Sequence, residues 1–150
     1  MRMGSSNLFH LAAIATLLLL LVVNSVYAAD VTVADGWFRA LPPSVPSGGY
    51  FKLHNGSAKT ISLKGAQSPG CESLMLHKTM DKGGMGGMMH VMEIPVPAGD
   101  DLAFAPGGYH LMCMGAKPIL QPGNTVPVTL SFTDSTTLTA NFQVRNASGK

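Results

Sequence analysis

The stretch TVPVTLSF, residues 125–132, decides the fold class of this chain. Its apolar side chains occupy every second position, at Val126, Val128, Leu130 and Phe132. Alternation with a period of two is the pattern of a β-strand that buries one face. The stretch therefore predicts a strand whose apolar face enters a hydrophobic core.

Outward from this stretch, the chain has further short strand-like segments between clusters of Gly, Pro, Asn and Asp. LPP at 41–43 removes backbone donors, HNGS at 54–57 tolerates positive φ, and PGG at 106–108 and QPGN at 121–124 reverse the chain direction. No long amphipathic helical pattern competes, so the spacing predicts a one-domain, all-β sandwich. The other predicted strands are residues 31–39, 49–54, 60–66, 72–80, 88–94, 109–114 and 137–144.

The first 28 residues have the features of a secretory signal. Arg2 gives a positive start, residues 11–23 form an apolar run, and the small residues around Ala28 suit a signal peptidase. We therefore expect residues 1–28 to be removed and residues 29–150 to form one domain in the periplasm. If the signal stays uncleaved, residues 8–26 are almost long enough to anchor the chain in a bilayer of ~30 Å hydrocarbon thickness.

Charge and motifs exclude several classes of function. The formal net charge is +2 at pH 7, and no basic stripe indicates binding to nucleic acid. The sequence shows no Ser-His-Asp set and no paired catalytic carboxylates, and GGMGG at 83–87 lacks the Lys-Ser/Thr ending of a phosphate-binding loop. We therefore expect a binding protein rather than an enzyme. We also expect a monomer.

The chain has two cysteines, Cys71 and Cys113. Export to an oxidising compartment permits a disulfide between them. Strand parity argues against it, because Cys113 would point away from His110 and Met112, whereas Cys71 has the parity of His77. The sequence leaves the pairing undecided.

Soft metal donors are concentrated in one segment. Between Met75 and Met114 lie eight of the ten methionines and three of the five histidines. Thioether sulfur binds soft Cu(I) well and hard ions such as Mg²⁺ poorly, and imidazole binds copper in both oxidation states. Core packing explains single methionines such as Met75 and Met92, but not a whole set beside a glycine-rich hairpin tip. The segment therefore predicts a Cu(I) site.

The predicted strands collect these donors on shared sides. Side chains alternate along a strand, so residues two apart lie on one side. Two such sets occur: His110, Met112 and Met114, and Met88, His90 and Met92. His77 lies near the end of the preceding strand, so donors from three strands can converge on one ion.

Four of these residues resemble the ligand signature of a known family. His77, Met88, His110 and Met112 form the pattern H-x10-M-x21-H-x-M, which is similar to that of the periplasmic PCuAC copper chaperones. The flanking segments DGWFRA at 35–40 and PGGYHLM at 106–112 also resemble this family, and the likeness extends over residues 31–144. Many members have Met after the first His, where this chain has Lys78.

The resemblance implies a cupredoxin-like Greek-key β-sandwich that holds one Cu(I) ion with His77, Met88, His110 and Met112. It also implies delivery to the binuclear copper centre of cytochrome c oxidase, with the copper-bearing oxidase subunit or another copper chaperone as partner. The signature leaves open the roles of His90, Met80, Met85, Met89 and Met114.

Three alternatives to copper delivery remain at this point. The first is copper storage or detoxification without a dedicated acceptor. The second is a cupredoxin-like electron carrier, which requires a cysteine thiolate among the ligands. The third is an immunoglobulin-like interaction module whose methionines only pack and which has no metal affinity.

Overall fold

A computed structural model describes residues 30–82 and 85–150. The predicted signal at residues 1–28 lies outside the described residues. Residues 30–82 and 85–150 contain no helix, hence none with the length and apolarity that a membrane span requires. The strands are β1 (Val31–Arg39), β2 (Ser47–Asn55), β3 (Ile61–Gln67), β4 (Ser73–Lys82), β5 (Met85–His90), β6 (Ile94–Val96), β7 (Asp101–Phe104), β8 (Tyr109–Met114), β9 (Thr125–Phe132) and β10 (Thr137–Arg145).

The ten strands form one continuous sheet in the order β5-β4-β8-β7-β2-β1-β10-β9-β3-β6. Neighbouring strands are antiparallel, except that β1 pairs with β10 and β7 pairs with β8 in parallel. The sheet curls so that β3, near one end, packs against β4, near the other. The predicted all-β, cupredoxin-like Greek-key architecture is confirmed, with its layers made by one curled sheet.

The alternation at residues 125–132 has the predicted consequence. The four apolar side chains of β9 are buried, and the residues between them are exposed or half-buried. Burial of each such side chain contributes about 1.5–3 kcal/mol. They face a cluster of aromatic rings in which Phe142 lies 5.6 Å, between ring centroids, from both Phe38 and Phe51. We therefore expect the sheet to stay folded without a bound metal.

The predicted strand at residues 88–94 is wrong in its second half. β5 ends at His90, and after a break the chain enters β6, which pairs with β3 at the other end of the sheet. Met92 lies in this break and is 74% exposed, so it neither packs in the core nor shares a strand face with Met88. The short strands β6 and β7 are additional to the prediction.

Cys71 and Cys113 are joined by a disulfide, with their Cα atoms 5.5 Å apart. The parity argument against this bridge is wrong for a local reason. β4 begins only at Ser73, and Cys71 lies in the preceding turn, where its amide donates to the carbonyl of Ser68. Strand alternation therefore does not extend to Cys71. Cys113 does point into the core as predicted, and there it meets its partner.

Candidate metal centre

Three neighbouring strands at one end of the sheet carry one histidine each. β4 lies between β5 and β8, and both pairings are antiparallel. His77 of β4 is directly opposite His90 on one side and His110 on the other. Directly paired residues in antiparallel strands project from the same face. The three imidazoles therefore form a row across one face of the sheet.

This face, which we call the outer face, also carries methionines. The register places together Met75, His77, Met88, His90, His110, Met112 and Met114. Four of the alternate residues of β4 and β8 point into the core and are buried: Leu74, Leu76, Leu111 and Cys113. The prediction that His110, Met112 and Met114 share one side, opposite Cys113, is confirmed.

The spacing of the rings suits metal coordination by neighbouring pairs. The ring centroid of His77 lies 5.9 Å from that of His110 and 5.6 Å from that of His90. Metal–nitrogen bonds of about 2 Å place the centroids of two ligating imidazoles roughly 5–6 Å apart. Either neighbour can thus share one ion with His77. Within residues 30–82 and 85–150, no three His, Cys, Asp or Glu side chains meet in a geometry that could hold a metal.

The surroundings of His77 favour its neutral imidazole form. Burial lowers the pKa of its ring below the ordinary value, and charge on His110 and His90 lowers that pKa further. Its Nδ1 is buried without a hydrogen-bond partner, which is uncommon for a buried polar atom. A neutral ring keeps a lone pair for a metal, and a bound ion would give the ring a partner.

His110 is oriented by the backbone. Its Nδ1 lies 3.2 Å from the carbonyl oxygen of Gly108. A carbonyl oxygen only accepts, so Nδ1 carries the hydrogen and Nε2 is the ring nitrogen left for a metal. Gly108 belongs to the turn before β8, so the same turn that starts the strand also fixes the ring that can bind a metal.

The two predicted methionine ligands lie on opposite sides of β4. Met112 of β8 is half-buried and pairs with Met75, next to His110. Met88 of β5 pairs with Thr79 and is 66% exposed. β5 and β8 are separated by two inter-strand spacings, about 10 Å. The structure therefore brings His77, His110 and Met112 together, whereas Met88 has to extend across β4 to join them.

Met75 is a candidate donor that sequence reasoning assigned to core packing. It pairs directly with Met112 and lies two residues before His77, on the same face. The fully buried Leu76 beside it shows that β4 alternates here. The spacing Met75-x-His77 mirrors His110-x-Met112, and it is the sequence feature that indicates Met75 as a donor on the face of His77.

An aromatic and cationic cluster borders Met112 on its other side. Met112 pairs with Gly48 of β2, and the Tyr50 hydroxyl lies only 2.6 Å from where a Cβ on Gly48 would be. The guanidinium of Arg39 lies 5.7 Å from the ring centroids of both Tyr50 and Trp37. The DGWFRA segment thus supplies a cationic border beside the donors.

The sequence of this chain is similar to known proteins. A family model described as "Putative lipoprotein LpqE-like" matches residues 31–144. The protein "Putative lipoprotein Lxx21020" of Leifsonia xyli subsp. xyli is 34% identical over 123 residues, which cover 81% of this chain and 74% of that protein.

Two solved structures have similar folds. The copper-bound PCuAC domain from PmoF2 has a TM-score of 0.64 and 20% identity, over 78% of this chain and 93% of that chain. The solution structure of CuI-DR1885 from Deinococcus radiodurans has a TM-score of 0.62 and 37% identity, over 76% of each chain. With the family match over residues 31–144 and the 34% identical relative, the chain belongs to the LpqE-like family.

Proposed function

We propose that this protein binds one Cu(I) ion with His77, Met88, His110 and Met112 and delivers it to another protein. The observation that carries the proposal is the register, which sets His77 beside His110 with their ring centroids 5.9 Å apart and thioethers on the same face. Two thioethers and two imidazoles form a donor set that favours Cu(I). The similar solved structures, a copper-bound PCuAC domain and CuI-DR1885, support the same cargo.

The exposure of the donors favours transfer over permanent retention. Met88 is largely exposed and His110 and Met112 are half-buried, so a partner protein can reach the ion without unfolding the sheet. We propose the binuclear copper centre of cytochrome c oxidase as the acceptor, reached through the oxidase subunit directly or through a second copper chaperone. Storage without an acceptor is the competing proposal, and a transfer experiment separates the two.

The oxidised protein is a poor candidate for a blue-copper electron carrier. That class needs a cysteine thiolate ligand. Both cysteines of this chain are held in one disulfide, and Cys113 points away from the outer face. We therefore propose that the protein carries copper and does not use it for electron transfer or catalysis.

We propose that the protein acts in the periplasm after removal of residues 1–28. The names of the family and of the Leifsonia xyli relative contain the word lipoprotein, which supports export. In this chain both cysteines are bonded to each other within the domain, so neither is free to carry a lipid. The proposed mature form is a monomer.

Anaerobic Cu(I) titration against a competing chelator tests the cargo. We expect one ion per chain and no displacement by excess Zn²⁺, because thioethers contribute little to binding a harder divalent ion. Met112→Leu removes one outer-face sulfur and should weaken binding, whereas Met92→Leu removes an exposed sulfur outside β5 and should not. Equal competition by Zn²⁺, or equal effects of the two variants, would contradict the site.

A further inference from the structure

The donors on β5 and β8 are arranged in two similar groups around His77. β8 contributes His110 and Met112, and β5 contributes His90 and Met88, each pair two residues apart on the outer face. Both histidines are opposite His77, at comparable centroid distances of 5.9 and 5.6 Å. His77 is thus the one imidazole that belongs to both groups.

An ion beside His77 can take its second imidazole from only one of these two strands at a time. Because β5 and β8 are separated by the width of β4, about 10 Å from strand to strand, His90 and His110 face each other across His77 rather than side by side. Met88 lies on the same strand as His90. Its thioether can therefore meet an ion held by His77 and His90 without extending across β4, as it must to join Met112.

We propose that His90 is a copper ligand, which forms with His77 and Met88 an outer position for copper on the β4–β5 hairpin. The proposal rests on the copper-binding function above and adds a second, mutually exclusive place for the ion. Moving between the positions exchanges His90 for His110 and keeps His77 bound throughout. His90 and Met88 are exposed, so the outer position opens to solvent and to partners.

The donor chemistry distinguishes the two positions. The outer position has two imidazoles and one thioether, and its donors His90 and Met88 are exposed to solvent. The position formed by His77, Met88, His110 and Met112 has a second thioether, from the half-buried Met112. Cu(II) prefers nitrogen and oxygen donors in a tetragonal arrangement, and Cu(I) prefers soft sulfur. The outer position therefore suits Cu(II), and the chain can hold divalent copper where it is accessible.

Replacement of His90 tests the outer position, with His54 as a matched control. His54 is an exposed histidine that pairs with Asp101, with 2.7 Å between Nδ1 and Oδ1. We expect His90→Gln to lower the Cu(II) affinity by at least about tenfold, because it removes a direct donor. It should leave the Cu(I) affinity near that of the parent and remove one nitrogen coupling from the Cu(II) electron paramagnetic resonance spectrum. His54→Gln should change none of these.

The outcomes separate this inference from the proposed function. If His90→Gln and His54→Gln both bind Cu(II) as the parent does, His90 is not a ligand and the inference is overturned, whatever the Cu(I) result. If the parent binds Cu(I) tightly, the proposed function stands in either case. Circular dichroism of both variants checks that the fold is kept.

Discussion

We expect His110→Ala to lower the affinity for Cu(I) by at least about a hundredfold, because it removes a direct donor whose orientation costs nothing on binding. The carbonyl oxygen of Gly108 already holds the ring with Nε2 free, and the strand fixes its distance from His77. Met88→Leu keeps the apolar volume and removes only a sulfur that has to extend across β4. The loss of Cu(I) affinity in this variant should be smaller, about tenfold or less.

The same pair of variants predicts different release kinetics. With the exposed thioether gone, an acceptor has one fewer donor to displace, so Met88→Leu should transfer Cu(I) faster than the parent. Competition titration and stopped-flow transfer measure the two effects, and His54→Ala controls for loss of an unrelated histidine. A Met88→Leu variant that binds more weakly than His110→Ala, or releases copper no faster than the parent, would contradict this division of roles.

The second large effect concerns stability. The disulfide closes a loop with a sequence separation of 42 residues between Cys71 and Cys113. Cross-linking a loop of this length restricts the unfolded chain and stabilises the fold by about 2–4 kcal/mol. Replacing both cysteines by alanine should lower the free energy of unfolding by at least that amount, measured by urea denaturation.

Reduction of the parent separates the cross-link from the packing of the sulfurs. The reduced protein keeps both sulfur atoms in the core, so its loss of unfolding free energy relative to the oxidised protein reports the cross-link alone. The further loss in the double alanine variant reports the cavity left by the sulfurs. Because Cys113 lies between Met112 and Met114 on β8, reduction should also loosen the strand that carries two predicted ligands. Equal urea midpoints for oxidised and reduced protein would contradict this account.

Local patterns were sufficient for the long strands and for their parity. The alternation at 125–132 correctly gives the buried face of β9, and His110-x-Met112 correctly gives two donors on one side of β8. These predictions hold because side-chain direction along one strand depends only on a period of two. The three-residue β6 and four-residue β7 are too short for such a pattern to be visible.

Pairing between distant segments was not predictable. The sequence gives no register between β4 and β8, and it is the register that sets His77 opposite His110 and Met75 opposite Met112. Asn55 is a second example. A tolerance of positive φ was expected there, but the side chain is buried, and its Nδ2 donates to carbonyl oxygens of Lys59, Val96 and Pro97. Two of these acceptors are 41 and 42 residues away.

X-ray absorption at the copper edge, on the protein loaded with one equivalent of Cu(I), tests the central claim most directly. The proposed ligands predict a first shell of nitrogen and sulfur in equal numbers, contributed by His77, His110, Met88 and Met112. Met112→Leu should reduce the sulfur contribution, whereas Met92→Leu should leave it unchanged. A first shell of nitrogen and oxygen alone, without sulfur in the parent protein, would contradict the account.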